Sequence, residues 1–91
     1  MATAGSDRVD GAQTVHRVAA IFRALRTAGD LGRTALELSA DCSLTRSTTH
    51  RLLAALKSEG LVAQPPGGRR YYLGATVYDL GLAAWPTLGI R

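Results

Sequence analysis

The stretch Leu44-Thr45-Arg46-Ser47-Thr48-Thr49-His50-Arg51-Leu52-Leu53-Ala54-Ala55-Leu56 decides how this chain folds. Thr49, Leu52, Leu53 and Leu56 fall at i, i+3, i+4 and i+7, the spacing of one face of an α-helix. Rotating about 100° per residue from that face puts Ser47, His50, Arg51 and Ala54 on the opposite side, flanked by Arg46, Thr48 and Lys57. That outward side is short-chained or cationic and carries no carboxylate until Glu59, so it can approach a polyanion without repulsion. The helix is expected over 45–58, starting at Thr45 or Arg46, with Gly60 closing it.

Working outward toward the N-terminus, Thr34 and Glu37 form a capping box: the threonine hydroxyl takes the Glu37 N–H and the carboxylate reaches back. A short helix therefore starts there, with Leu38 and Cys42 on its inner side, and cannot continue far through Ser43, Leu44 and Thr45. Earlier still, Val15, Val18, Ala19, Phe22 and Leu25 mark one stripe of a helix over roughly 15–27. Thr14 can cap it and Gly29 can end it. Residues 1–12 show no periodicity and read as a disordered tail.

Toward the C-terminus the period changes. Leu61-Val62-Ala63-Gln64 and Arg69-Arg70-Tyr71-Tyr72-Leu73 flank Pro65-Pro66-Gly67-Gly68, two short β-runs around a tip whose prolines lack donors. Tyr71 and Tyr72 alternate faces, so one packs on the core. Val77, Leu80 and Ala84, with the small Gly81, then return to helical spacing over 75–84, ahead of Pro86. The expected fold is mainly α with a small β-hairpin, a winged helix-turn-helix: a three-helix core, a two-stranded wing and a C-terminal linker helix. The expected division is a tail over 1–12, a folded domain over 13–74, and a linker helix with a truncated end over 75–91.

Ninety-one residues make one small domain, burying about 60–65% of the surface the unfolded chain would expose. A hydrophobic share of 46% speaks against disorder of the whole. Eleven Lys and Arg stand against seven Asp and Glu, a net charge of +4, and Lys57 is the single lysine. A basic balance alone fits a solvated cationic face as well as an anionic partner, so position decides. From Ser43 to Arg70 there are four Arg and one Lys against Glu59 alone, so this stretch matches the net charge of the entire chain.

Other classes find little support. Cys42 is the one cysteine and no ligand cluster accompanies it, so neither a disulfide nor a metal site is expected. Its spacing from Leu38 fits a small core residue better than a nucleophile or redox sensor. His50 has no partner set for catalysis, and no paired carboxylates or phosphate loop suggest an enzyme or a cofactor. No run of about 18 apolar residues would span a bilayer, and the first fifteen residues lack a signal-peptide core. A cytoplasmic setting without membrane contact is expected.

Two helices joined by the turn Ser43-Leu44-Thr45 and followed by a hairpin would place the helix at 45–58 in a DNA major groove, about 12 Å wide. On that geometry Ser47, Thr48 and Arg51 face bases, and only Arg51 could contact guanine bidentately. Thr45, Arg46 and His50 face phosphates. Arg69 and Arg70 would run along the backbone or enter the minor groove, unless they are ordinary surface arginines of a hairpin. A winged-helix module that binds protein instead of DNA is the alternative, but it should expose an apolar or acidic patch on this helix.

Residues 13–21, 44–56, Gly60-Leu61-Val62 and Tyr72-Leu73-Gly74 together resemble the N-terminal domain of the IclR family of bacterial regulators. The resemblance covers about residues 13–84. It implies DNA-backbone contact by Arg17, and DNA contacts by Ser47, Thr48, His50 and Arg51. It further implies a homodimer on a palindromic operator, built through helix one and the linker helix, with the sensor domain of such proteins beyond this chain and so no small-molecule effector on it. The apolar stripe of the linker helix would pack across that two-fold axis or fold back on its own chain. Three departures stand out. Ser43 sits where the family usually has glycine, which costs on the order of 1 kcal/mol if the residue is left-handed. Thr45 stands where proline often opens the helix, and His16 replaces an acidic residue beside Arg17.

Overall fold

The computed structural model describes the backbone over residues 2–85 and side chains over 11–85. Four helices and three short strands follow in order: α1 (Ala2–Ala28), β1 (Arg33–Thr34), α2 (Ala35–Asp41), α3 (Arg46–Ser58), β2 (Val62–Ala63), β3 (Arg70–Leu73) and α4 (Ala75–Leu82), with a 3-10 turn at Gly29–Leu31 after α1.

The helix ends carry the architecture. At the start of α2 the Glu37 N–H donates to Thr34 Oγ1 at 3.1 Å and the Thr34 N–H to Glu37 Oε1 at 2.9 Å, the reciprocal box expected. At its end the Leu44 N–H reaches the Ser39 carbonyl at 2.9 Å and the Ser43 N–H reaches the Ala40 carbonyl at 3.3 Å. This is a Schellman closure, and Ser43 takes the left-handed position with φ +54°. The end of α3 repeats it: the Leu61 N–H reaches the Leu56 carbonyl, the Gly60 N–H reaches that of Lys57, and Gly60 has φ +74°. Two closures of one kind thus set the angle of α3 to α2 and of the hairpin to α3.

Ile21, Leu25, Leu38, Leu53, Leu56, Val62 and Tyr71 form the core. Thr49 joins them with no exposed surface, because its hydroxyl donates to the Thr45 carbonyl at 2.8 Å and so brings no unsatisfied group inside. Of the two hairpin tyrosines Tyr71 is the buried one.

Three expectations need correction. The inner stripe of α1 runs through Val18, Ile21 and Leu25, with Phe22 and Ala24 beside it, and leaves Val15 66% exposed. Ile21, three residues from Val18 and four from Leu25, is the centre that the expected stripe omitted. The tail expected over 1–12 is helix from Ala2 onward, so α1 does not begin at a Thr14 cap. Apolar periodicity reports burial rather than helicity, and the segment contains no proline to break a helix. The sheet has three strands, not two, in the order β1-β3-β2, and both pairings are antiparallel. β1 is two residues long and carries no alternation by which to read it.

α4 lies close to its expected place. Gly74 precedes it, where its N–H donates to the Leu61 carbonyl at 2.9 Å and a Cβ would overlap the Gly60 carbonyl oxygen. Only glycine lets the two backbones approach so closely. α4 ends at Leu82, and the expected break at Pro86 and the end over 86–91 lie outside the described residues.

Candidate nucleic-acid interface

Thr45 sets the start of α3. With φ −70° and ψ 157° it is an extended N-cap whose Oγ1 accepts the Thr48 N–H at 3.1 Å. That cap supplies what a proline would have preset, and the hydroxyl hydrogen stays available as a donor to an outside oxygen. From there Arg46, Ser47, His50, Arg51 and Ala54 are exposed, as the 100° rotation requires, and Thr48 is half-buried. Arg51 lies over the preceding turn, its Nη2 3.5 Å from Thr48 Oγ1.

The cations of 43–70 divide by what already engages them. Lys57 Nζ donates to Gln64 Oε1 at 3.0 Å, joining the end of α3 to the hairpin. Arg70 Nη1 turns away from the hairpin tip and reaches the Leu31 and Gly32 carbonyls at 3.3 and 3.4 Å, with Glu37 Oε1 at 3.6 Å. Arg46 and Arg69 form no hydrogen bond or ion pair among the described residues. Together with His50 and Gln64 they line one groove between the start of α3 and the hairpin, with Leu36 on its α2 side. The hairpin tip is a tight turn: the Gly68 N–H donates to the Pro65 carbonyl at 2.9 Å and Gly67 has φ +75°. Proline second and a positive-φ glycine third suit it.

Arg17 is half-buried on α1, beside the turn that leads into α3. With Gln13 and His16 it borders a hollow whose far wall is the turn Cys42-Ser43-Leu44. The structure thus brings Arg17, Thr45, Arg46, Ser47, His50, Arg51 and Arg69 to the surface around the helix start, whereas the Arg70 guanidinium is committed elsewhere.

Sequence reasoning missed the acidic side of this balance. Arg33 grips Asp41 with two hydrogen bonds, at 2.9 and 2.8 Å, and lies 3.7 Å from Glu37. Two of the chain's seven carboxylates are therefore neutralised beside α2. Arg33 precedes the N-cap of α2 and its partner Asp41 is eight residues on, so no helical spacing marked the pair. The Thr34 backbone hydrogen bond holds the Glu37 carboxyl below its ordinary value; burial works against this, and the charges of Arg33 and Arg70 add to it. Burial and the neighbouring Asp41 push the Cys42 thiol up, away from the reactive thiolate. Among the described residues no group of three or more His, Cys, Asp or Glu could hold a metal ion, and no helix is long and apolar enough to cross a membrane.

The IclR helix-turn-helix domain model matches residues 14–66. A glycerol operon regulatory protein of Streptomyces griseus is 39% identical over 70 residues, 76% of this chain and 27% of that protein. The HTH-type transcriptional regulator KdgR of Dickeya chrysanthemi is 35% identical over 85 residues, 92% of this chain and 27% of its own length. The chain thus spans little more than a quarter of the curated relatives it matches. Among solved structures, an IclR transcriptional regulator from Alicyclobacillus acidocaldarius superposes with a TM-score of 0.69 at 28% identity, over 79% of this chain and 29% of that one. Pseudomonas aeruginosa HmgR superposes with a TM-score of 0.66 at 26% identity, over 77% and 30%.

Proposed function

The chain belongs to the IclR helix-turn-helix family, and from that premise we propose that it binds double-stranded DNA sequence-specifically and regulates transcription. It works as a binding module, not an enzyme. The observation that carries this reading is the outward face of α3, where Ser47, His50 and Arg51 stand exposed with no carboxylate among them while Glu37 and Asp41 are paired away.

In this reading α3 enters the major groove and the β2–β3 hairpin is the wing. Ser47, Thr48 and Arg51 reach base edges. Thr45, Arg46 and His50 meet phosphates on one side and Arg17 on the other, while Arg69 extends the contact along the strand from the wing. Arg51 is suited to a guanine, because the loose contact to Thr48 keeps its fork over the first turns of the helix. A homodimer on a palindromic site belongs to the same proposal. Leu80, Leu82 and Trp85 are 61%, 69% and 68% exposed at the end of α4, an apolar surface that pairing through α1 and α4 would cover. A cytoplasmic site of action fits such a module.

Selection of bound duplexes from a random library tests the reading, because it returns the preferred sequence, its symmetry and the half-site spacing together. Replacing Arg51 with Ala should relax preference at one position per half-site at a cost of about 1–3 kcal/mol. Unchanged affinity and unchanged preference in that variant would show that α3 is not the reading element.

A further inference from the structure

We propose that Arg70 is a positioning residue of the DNA interface: with Glu37 it braces the wing against the first helix of the helix-turn-helix, so that Arg69 faces the groove beside Arg46 and His50. This inference rests on the DNA-binding reading above for its functional consequence. Its structural part stands apart from that reading.

Arg70 and Thr34 are register partners in the β1–β3 ladder. Glu37 then joins the same two residues a second time, since its Oε1 accepts the Thr34 N–H at 2.9 Å and lies 3.6 Å from Arg70 Nη1. The same nitrogen spans the Leu31 and Gly32 carbonyls, which have left α1 and not yet entered the ladder. One guanidinium therefore ties three elements: the exit of α1, the cap of α2 and the base of β3. A cation shared among acceptors on separate elements holds an angle in a way a single ladder pair does not. Arg69 is the next residue out, one before β3 begins, and lines the groove with Arg46 and His50. The direction of Arg69 thus follows from the anchoring of Arg70.

Two adjacent arginines then have distinct signatures. A phosphate contact contributes to the salt dependence of binding, roughly 0.9 in the slope of log affinity on log salt for each phosphate neutralised. A brace does not. Glu37→Gln is the sharper probe, because its amide oxygen still accepts the Thr34 N–H while the charge on Arg70 loses its partner. Removing a carboxylate favours DNA on electrostatic grounds alone, so a brace is revealed by a change in the opposite direction.

The test measures duplex affinity of the full chain at several salt concentrations, with amide hydrogen exchange of the free protein. Arg69→Ala should flatten the salt slope by about 0.9. Arg70→Ala and Glu37→Gln should each lower affinity roughly two- to five-fold, the scale of one partly exposed charged contact, with the slope unchanged and the double variant no worse than Arg70→Ala alone. Both should speed exchange at Tyr71 and Tyr72 without DNA. Tighter or unchanged binding by Glu37→Gln overturns the proposal, as does a slope for Arg70→Ala as shallow as that for Arg69→Ala. If the wild-type chain binds no duplex, the DNA-binding reading fails, and the exchange data alone decide the brace: faster exchange in both variants upholds it and unchanged exchange refutes it.

Discussion

Ser43 holds a conformation that suits glycine. Its φ of +54° closes α2, and no side-chain hydrogen bond of Ser43 to a described residue offsets the cost. Ser43→Gly should therefore raise stability by about 0.5–1 kcal/mol, the relief of left-handed strain less the greater freedom of the unfolded glycine, read as a shift in the urea midpoint at constant m-value. A lower midpoint would mean that the turn relies on the serine side chain. Glu37 has a different signature, in pH. Its folded value lies below the ordinary 4.5, so its contribution is fully present above the unfolded value and disappears as pH falls through the folded one. Wild-type protein should exceed Glu37→Gln in stability at pH 7, and the gap should close below about pH 4.5. Urea unfolding at pH 7, 5 and 3 measures both. A gap that does not narrow between pH 7 and pH 3 would assign the effect to the shape of the side chain.

Elements were legible wherever the local chemistry was complete. The capping box at Thr34 and Glu37, the glycine close at Gly60 and the four apolar positions of α3 each state their role in a few adjacent residues, and each took the expected place. What the sequence hid is what depends on distant partners. β1 acquires its identity only by lying against β3, and Arg33 and Arg70 look like free cations until the fold brings carbonyls and carboxylates to them. The outward face of α3 could be read because the rotation from its core side is fixed, whereas the direction of a hairpin arginine is not. The α1 stripe was misjudged because its apolar positions outnumber those that meet a partner. Caps give the simplest test at this scale. Thr45→Ala removes the acceptor for the Thr48 N–H and should cost about 1 kcal/mol. It should also weaken DNA binding, since the first turn of α3 carries the contact residues. Thr45→Ser should recover most of both, and a thermal melt beside a binding curve reads the pair.

Over the whole molecule, two exposed surfaces differ in chemistry: one is cationic around α3 and the wing, the other apolar along α4. The first predicts affinity that falls steeply with salt. The second predicts self-association that salt hardly weakens. Leu80→Glu combined with Leu82→Glu should shift the chain toward monomer in sedimentation equilibrium and reduce affinity for a two-half-site duplex far more than for a single half-site. Equal losses on both duplexes would place the effect within one subunit.

The pairing of β1 with β3 joins Arg33 to Tyr71 and Thr34 to Arg70, so the whole helix-turn-helix lies inside a loop that this short ladder closes. The contacts between α2 and α3 are local and can form early, while the ladder must recover the entropy of bringing distant residues together. Folding should then finish at the wing, and the wing should be the first part to open, taking with it the register of the groove but not the packing of α2 on α3. A protease that cuts at the Pro65–Gly68 tip would thus convert a closed ring of contacts into an open one. The helix pair would remain, with nothing to fix the direction of the arginine that extends its grip.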